Sequence, residues 1–103
     1  MKGLKTMAED IKIVEGKHLT YLGKPLVREG DTICYGSKND RCLLVLEIMT
    51  YKKIGNNEVP DGILVQIVSS KDPTKIIRQS QKQGLSAALN LGVVWLDTEN
   101  RQS

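Results

Sequence analysis

The sequence predicts an α+β, mostly β fold. The expected architecture is an antiparallel meander curled toward a partial barrel, with a long central hairpin over about 42–69 and one C-terminal helix over about 86–97. Three observations carry this. Two alternating apolar runs, Cys42-Leu43-Leu44-Val45-Leu46-Glu47-Ile48 and Ile63-Leu64-Val65-Gln66-Ile67-Val68, are the strongest β-like stretches in the chain. Turn signals between them and the N-terminus fall about every eight residues, too close for crossover helices. After Gly84, Leu85, Ala88, Leu89, Gly92 and Leu96 fall at helical spacing.

Residues 1–10 read as a flexible N-terminal tail and 11–103 as a single globular domain. Lys2 and Lys5 make the start basic, but no apolar stretch follows them. The reading is therefore no signal peptide and a cytoplasmic location. Ile11-Lys12-Ile13-Val14 alternates as a short strand that Glu15-Gly16 ends. His18 to Leu22 is a second strand, and Gly23-Lys24 suits a type II′ turn with Gly in the first central position. Leu26-Val27-Arg28 follows, and Pro25 places that strand at an edge or delays its start. Glu29-Gly30-Asp31 is a turn. Thr32-Ile33-Cys34-Tyr35 is a strand rich in β-branched and aromatic residues. Residues 36–40 form a polar connection.

In the central hairpin, Leu44, Leu46 and Ile48 share one face of the first strand. Ile63, Val65 and Ile67 share one face of the second. For both sets to meet one core, paired numbers must sum to an odd value. A loop of Asn56-Asn57 gives 113, with both residues at positive φ in a type I′ turn. Ile48 then faces Val65, Leu46 faces Ile67, Thr50 faces Ile63 and Lys52 faces Asp61. The other face pairs Glu47 with Gln66 and is expected to be half covered. Pro60 loosens the tip between Ile54 and Pro60. Burying the six inner aliphatics contributes roughly 1.5–3 kcal/mol each before chain entropy.

Ser69 to Thr74 is a loop, since Asp72 precedes Pro73 and is held away from helical angles. Lys75 to Gln83 admits two readings. As a helix it would carry Lys71, Lys75, Arg78 and Lys82 as a basic stripe, but only Ile76 and Ile77 would be available to dock it. As a strand it places Ile76, Arg78, Ser80 and Lys82 on one face and Ile77, Gln79 and Gln81 on the other. The strand is preferred. After Gly84, Leu85, Ala88, Leu89, Gly92 and Leu96 line one helical side with Trp95 beside them, and Ser86 can cap. Three features oppose the helix: Gly92, at about 1 kcal/mol relative to Ala, the β-branched Val93-Val94, and Asp97 and Glu99 at the unfavourable end of the dipole. Ala88 and Gly92 imply close approach to the sheet.

The run Tyr21-Leu22-Gly23-Lys24-Pro25-Leu26-Val27-Arg28-Glu29-Gly30-Asp31-Thr32-Ile33-Cys34-Tyr35-Gly36 resembles small uncharacterised single-domain proteins of Gram-positive anaerobic bacteria. Leu64-Val65-Gln66, Lys82-Gln83-Gly84-Leu85, Ala88 and Trp95-Leu96 are similar to them too. The resemblance implies a bacterial, intracellular, single-domain protein. It rests on turn and core residues and brings no catalytic or binding residue with it.

Composition narrows the function classes. A net charge of +3 from 15 basic and 12 acidic residues is too mild to imply nucleic acid by itself. One Trp, three Tyr and no Phe are few for a single-strand-binding platform. No apolar run approaches the ~18–20 residues needed to span a bilayer. Cys34 and Cys42 end one strand and begin the next, so they could lie close, but C-x-x-C spacing is absent and buried reduced thiols are the simpler reading. His18, the single histidine, could join Cys34 and Asp31 or Asp40 in a triad, or Cys34 and Cys42 around zinc. No motif frames either set, and a lone histidine is more often a packing or surface residue. Neither G-x-G-x-x-G nor G-x-x-x-x-G-K-[ST] occurs. The best candidate site is the basic segment Lys71, Lys75, Arg78 and Lys82, whose interleaved Ser80 and glutamines can reach phosphates. The plainer reading is an edge strand guarded by charge. The expectation is a non-enzymatic interaction module that binds a protein partner or itself through a strand edge. A nucleic-acid-binding role for residues 71–82 is the alternative. No catalytic residue, metal, cofactor or membrane contact is assigned.

Overall fold

A computed structural model describes residues 18–101 of the chain. The tail 1–10 and the strand expected at 11–14 lie outside the described residues. Eight strands and one helix follow in order: β1 His18–Tyr21, β2 Lys24–Glu29, β3 Thr32–Tyr35, β4 Cys42–Ile48, β5 Tyr51–Ile54, β6 Asn57–Pro60, β7 Gly62–Ser69, β8 Ile76–Gln83 and α1 Leu85–Arg101. Six of them form one antiparallel sheet in the order β1-β2-β3-β4-β7-β8, and β5-β6 is a separate ribbon. Among the described residues the sheet is open, with β1 and β8 at its two edges. This is the α+β, mostly β class the sequence predicts, with the central hairpin arms beginning at Cys42 and ending at Ser69.

Apolar alternation decides which face is buried. Leu26, Ile33, Tyr35, Leu44, Leu46, Ile48, Ile63, Val65 and Ile67 all point to one side, and α1 lies on that side across β4, β7 and β8. Ala88, Leu89 and Leu96 complete the core. A Cβ on Gly92 would stand 2.5 Å from Leu44 Cδ1, so the residue that weakens the helix is the one that lets it settle on the sheet. The helix runs four residues past its expected end and begins one earlier. Gly84, at φ 89°, accepts the first helical bond from the Ala88 N–H, so Ser86 sits inside the first turn rather than capping it. Glu99 is stabilised where it stands by Arg41 and Arg78, and Asp97 pairs with Arg101 at 2.6 Å.

Both hairpin registers differ from expectation by the same step. The central pair is Ile48 with Ile63, Leu46 with Val65 and Leu44 with Ile67, a sum of 111 in place of 113. The tip is Gly55-Asn56, where Gly55 has φ 64° and Asn56 does not go positive, the pattern of a type II′ turn. Asn56-Asn57 would have needed two β-carbons at positive φ, whereas glycine takes the first of those places without strain. In the first hairpin the turn is Leu22-Gly23 rather than Gly23-Lys24, and both residues are at positive φ. A shift of two preserves which side chains face the core, so the buried set stands unchanged. Lys52 now lies opposite Val59 and meets Asp61 diagonally at 4.0 Å.

The ribbon β5-β6 keeps the register of β4-β7, so residues 42–69 form one hairpin with an interruption. At the break the Met49 N–H donates to the Gly62 carbonyl at 2.7 Å, and the Thr50 hydroxyl accepts the Gly62 N–H at 2.8 Å. The ribbon is braced on the β2–β3 turn. The Tyr51 hydroxyl donates to Asp31 at 2.6 Å and accepts from Arg28 at 3.1 Å. Pro60 is therefore the last residue of a regular strand rather than part of a loose loop. Pro25 sits within β2, an interior strand. Its partner on the β3 side is Gly36, one residue past the end of β3: the Gly36 N–H donates to the Pro25 carbonyl at 3.1 Å, and the reciprocal bond that proline cannot donate falls at the margin of the ladder.

Candidate interaction edge

The segment from Lys75 to Gln83 contains the strand β8, at the edge of the main sheet. Every residue of β8 except Ser80 is exposed. Two backbone bonds fix the phase of its ladder. The Gly84 N–H donates to the Asp61 carbonyl at 2.7 Å, and the Ser69 N–H donates to the Lys75 carbonyl at 3.1 Å. Bonded and non-bonded pairs alternate in an antiparallel ladder. Counting inward, Ile63 with Lys82, Val65 with Ser80 and Ile67 with Arg78 are the bonded pairs. The main-chain N–H and C=O groups of Gln79, Gln81 and Gln83 therefore point away from β7, where no other described strand pairs with them.

The side chains divide accordingly. Arg78, Ser80 and Lys82 are opposite inward residues of β7 and share the helix-covered face. Gln79 and Gln81 are opposite Gln66 and Leu64 on the uncovered face, where Gln66 Nε2 donates to Gln79 Oε1 at 3.3 Å. A bulge where Val68 meets Ile76 interrupts the ladder and leaves Ile76 and Ile77 49% and 40% exposed beside the start of the strand.

The four expected cations do not act together. Arg78 stacks over Trp95, 4.7 Å from the ring centre, and reaches Glu99 at 3.8 Å. It fastens the helix to the edge strand, a cation–π and ion-pair contact of the half-buried kind. Lys82 is at the opposite end of β8 from Lys75 and lines a shallow cleft of about 490 Å³ with Met49, Thr50, Gly62, Gln81 and Gln83. Seven residues of strand, roughly 23 Å, separate Lys75 from Lys82. Lys71 and Lys75 belong to the β7–β8 loop, with the Lys75 N–H bonded to the Asp72 carbonyl at 2.9 Å. Lys71 instead joins Lys38 and Arg41 around a second cleft at the end of β4, near Asn100.

The thiols and the histidine also separate. Cys34 is opposite Val45 on the uncovered face and is exposed, while Cys42 is fully buried on the helix side. Adjacent strands thus present the two thiols to opposite faces. Desolvation, with Glu29 and Glu47 behind it, pushes the Cys34 thiol up, and desolvation does the same for Cys42 against the opposing pull of Arg41. A raised value disfavours the thiolate, the form that attacks or binds a metal. His18 is opposite Val27, and Val27 is opposite Cys34, so two strand spacings, roughly 10 Å, separate His18 from Cys34. Asp31 is bonded to Tyr51 and Asp40 to Lys24 at 2.9 Å. No cluster of three metal-ligating side chains occurs among the described residues, and no described helix is long and apolar enough to cross a membrane.

The role of Arg78 escapes sequence reasoning because it depends on where the helix lies. The sequence places Ile77, Gln79 and Gln81 on one face, but alternation reports side-chain direction and not which way the main-chain groups point. No family model, curated protein or solved structure matches this chain.

Proposed function

We propose that the chain is a small non-enzymatic interaction module whose contact element is the free edge of β8. One observation carries this reading. An eight-residue edge strand turns its unpaired main-chain groups outward at three neutral glutamines, while its cations lie on the helix face or at the ends. Natural edges are guarded by charge, proline or bulges; β8 has Arg78, Lys82 and a bulge near its start, but between them Gln79, Gln81 and Gln83 carry neither charge nor proline. An added strand would make about six main-chain bonds, at about 0.5–1.5 kcal/mol net each. Association itself costs about 4–15 kcal/mol, so the contact is weak and reversible unless side chains add to it. The test compares capture by immobilised wild type and Gln81→Pro from a lysate of the cells that make the protein. Proteins held by wild type and lost with Gln81→Pro support the edge; identical captured sets remove it.

A second reading, nucleic-acid binding, is favoured by the convergence of Lys38, Arg41 and Lys71 on one cleft. With Arg41 held by Glu99, the two lysines predict a log–log salt slope of about −1.4 for a single strand. Fluorescence titration of a short single-stranded DNA and RNA, with Lys38→Glu and Lys71→Glu alongside, reads it. Binding without salt dependence, or none, ends that reading.

A further inference from the structure

We infer that the occupant of the β8 edge is a second copy of this chain, paired antiparallel about a twofold axis at Gln81. The inference rests on the reading of β8 as the contact element and adds the identity of the partner. Three observations carry it.

The first is phase. A twofold antiparallel seam requires residues with outward main-chain groups to meet one another. With Gln81 on the axis, Gln81 meets Gln81 of the second copy and Gln79 meets Gln83. All three are the residues whose groups point outward. Two six-stranded sheets would then join as one continuous sheet, removing one exposed edge from each.

The second is charge. In this register Ser80 meets Lys82, and Arg78 meets Gly84, so no two cations stand directly opposite. Moving the axis to Ser80 would set Arg78 against Lys82. Opposed cations would weaken pairing between two copies of a chain of net charge +3, and the Gln79–Gln83 seam avoids them.

The third is side-chain chemistry. A primary amide both donates and accepts, so a glutamine row is complementary to itself, as a lysine or glutamate row is not. The molecule already contains one such pair across neighbouring strands, Gln66 with Gln79 at 3.3 Å. Pairing with Gln83 of the second copy would extend that row by one more strand. An isologous contact of this kind closes after two copies, so it yields a dimer and no fibre.

The test is light scattering of the full chain across micromolar to millimolar concentration, with Gln81→Lys and Gln81→Pro alongside. Wild type is expected to approach twice 11.5 kDa as concentration rises. Gln81→Lys places two ammonium groups face to face and should raise the dissociation constant about fivefold. It is a solvent-facing change that leaves the core untouched, so it reports even if Gln81→Pro does not fold. In a Cys34→Ser background, Gln81→Cys should form an interchain disulfide, because opposed residues lie about 5.5 Å apart. Glu58→Cys, on the ribbon, should not. A monomer at every concentration, a dimer indifferent to Gln81→Lys, or equal crosslinking from both cysteine positions overturns the inference. A monomer that still captures another protein through Gln81 overturns the second copy while leaving the edge-binding reading in place.

Discussion

Leu22 has φ 52° and is followed by Gly23 at 83°, so a type I′ turn that favours Asn-Gly carries leucine in its first place. A β-carbon in the left-handed region costs about 1–2 kcal/mol. The side chain is 62% exposed and recovers little of that by packing. Leu22→Asn is expected to raise stability by about 1 kcal/mol, read as a higher midpoint in urea. A lower midpoint would mean that its contact with the shallow groove beside Tyr35 and Val93 outweighs the strain. Tyr35 shows the opposite situation at the same end of the sheet. It is buried, donates its hydroxyl to the Tyr21 carbonyl at 2.7 Å, and meets the Tyr21 ring edge-on at 5.8 Å. Burial pushes its phenol up.

Among the elements, the β5-β6 ribbon is braced on the β2–β3 turn through the Tyr51 phenol. Its hydrogen bond to Asp31, followed by desolvation, raises the Tyr51 pKa above its ordinary value of 10.0. A raised value in the fold means that the fold favours the protonated phenol. That stabilisation is fully present below the unfolded value of about 10 and is lost as pH rises through the folded value. Wild type should therefore melt above Tyr51→Phe at neutral pH, and the gap should close as pH climbs past about 10. A gap independent of pH would show that the hydroxyl contributes nothing through its proton. The same elements show what the sequence made legible. Alternation in Leu44-Leu46-Ile48 and Ile63-Val65-Ile67 assigned the buried face, because side-chain direction has a period of two. The register itself was not legible, since Gly55, Asn56 and Asn57 offer turns one residue apart that give the same faces. Only glycine's ease at positive φ separates them.

At the scale of the whole molecule, stability depends on how closely α1 lies on the sheet. Gly92→Ala gains up to about 1 kcal/mol of helix propensity. Its Cβ would stand 2.5 and 2.6 Å from the methyls of Leu44, which is fully buried and cannot swing away. Overpacking of this kind costs about 1–3 kcal/mol, so a net loss is expected in chemical denaturation. Adding Leu44→Val should recover part of it, and a strictly additive double variant would contradict the contact. Ala88 and Gly92 hinted at this approach in the sequence. The site was less legible, because whether a cation is free depends on its neighbours in space, and Arg78 is occupied by Trp95 and Glu99. The Thr50–Gly62 junction has a consequence for engineering. It re-anchors the chain where the ribbon leaves the sheet, so extra residues spliced in at Gly55-Asn56 would be absorbed outboard of it. A reporter peptide could be grafted there while the platform beneath keeps its alignment.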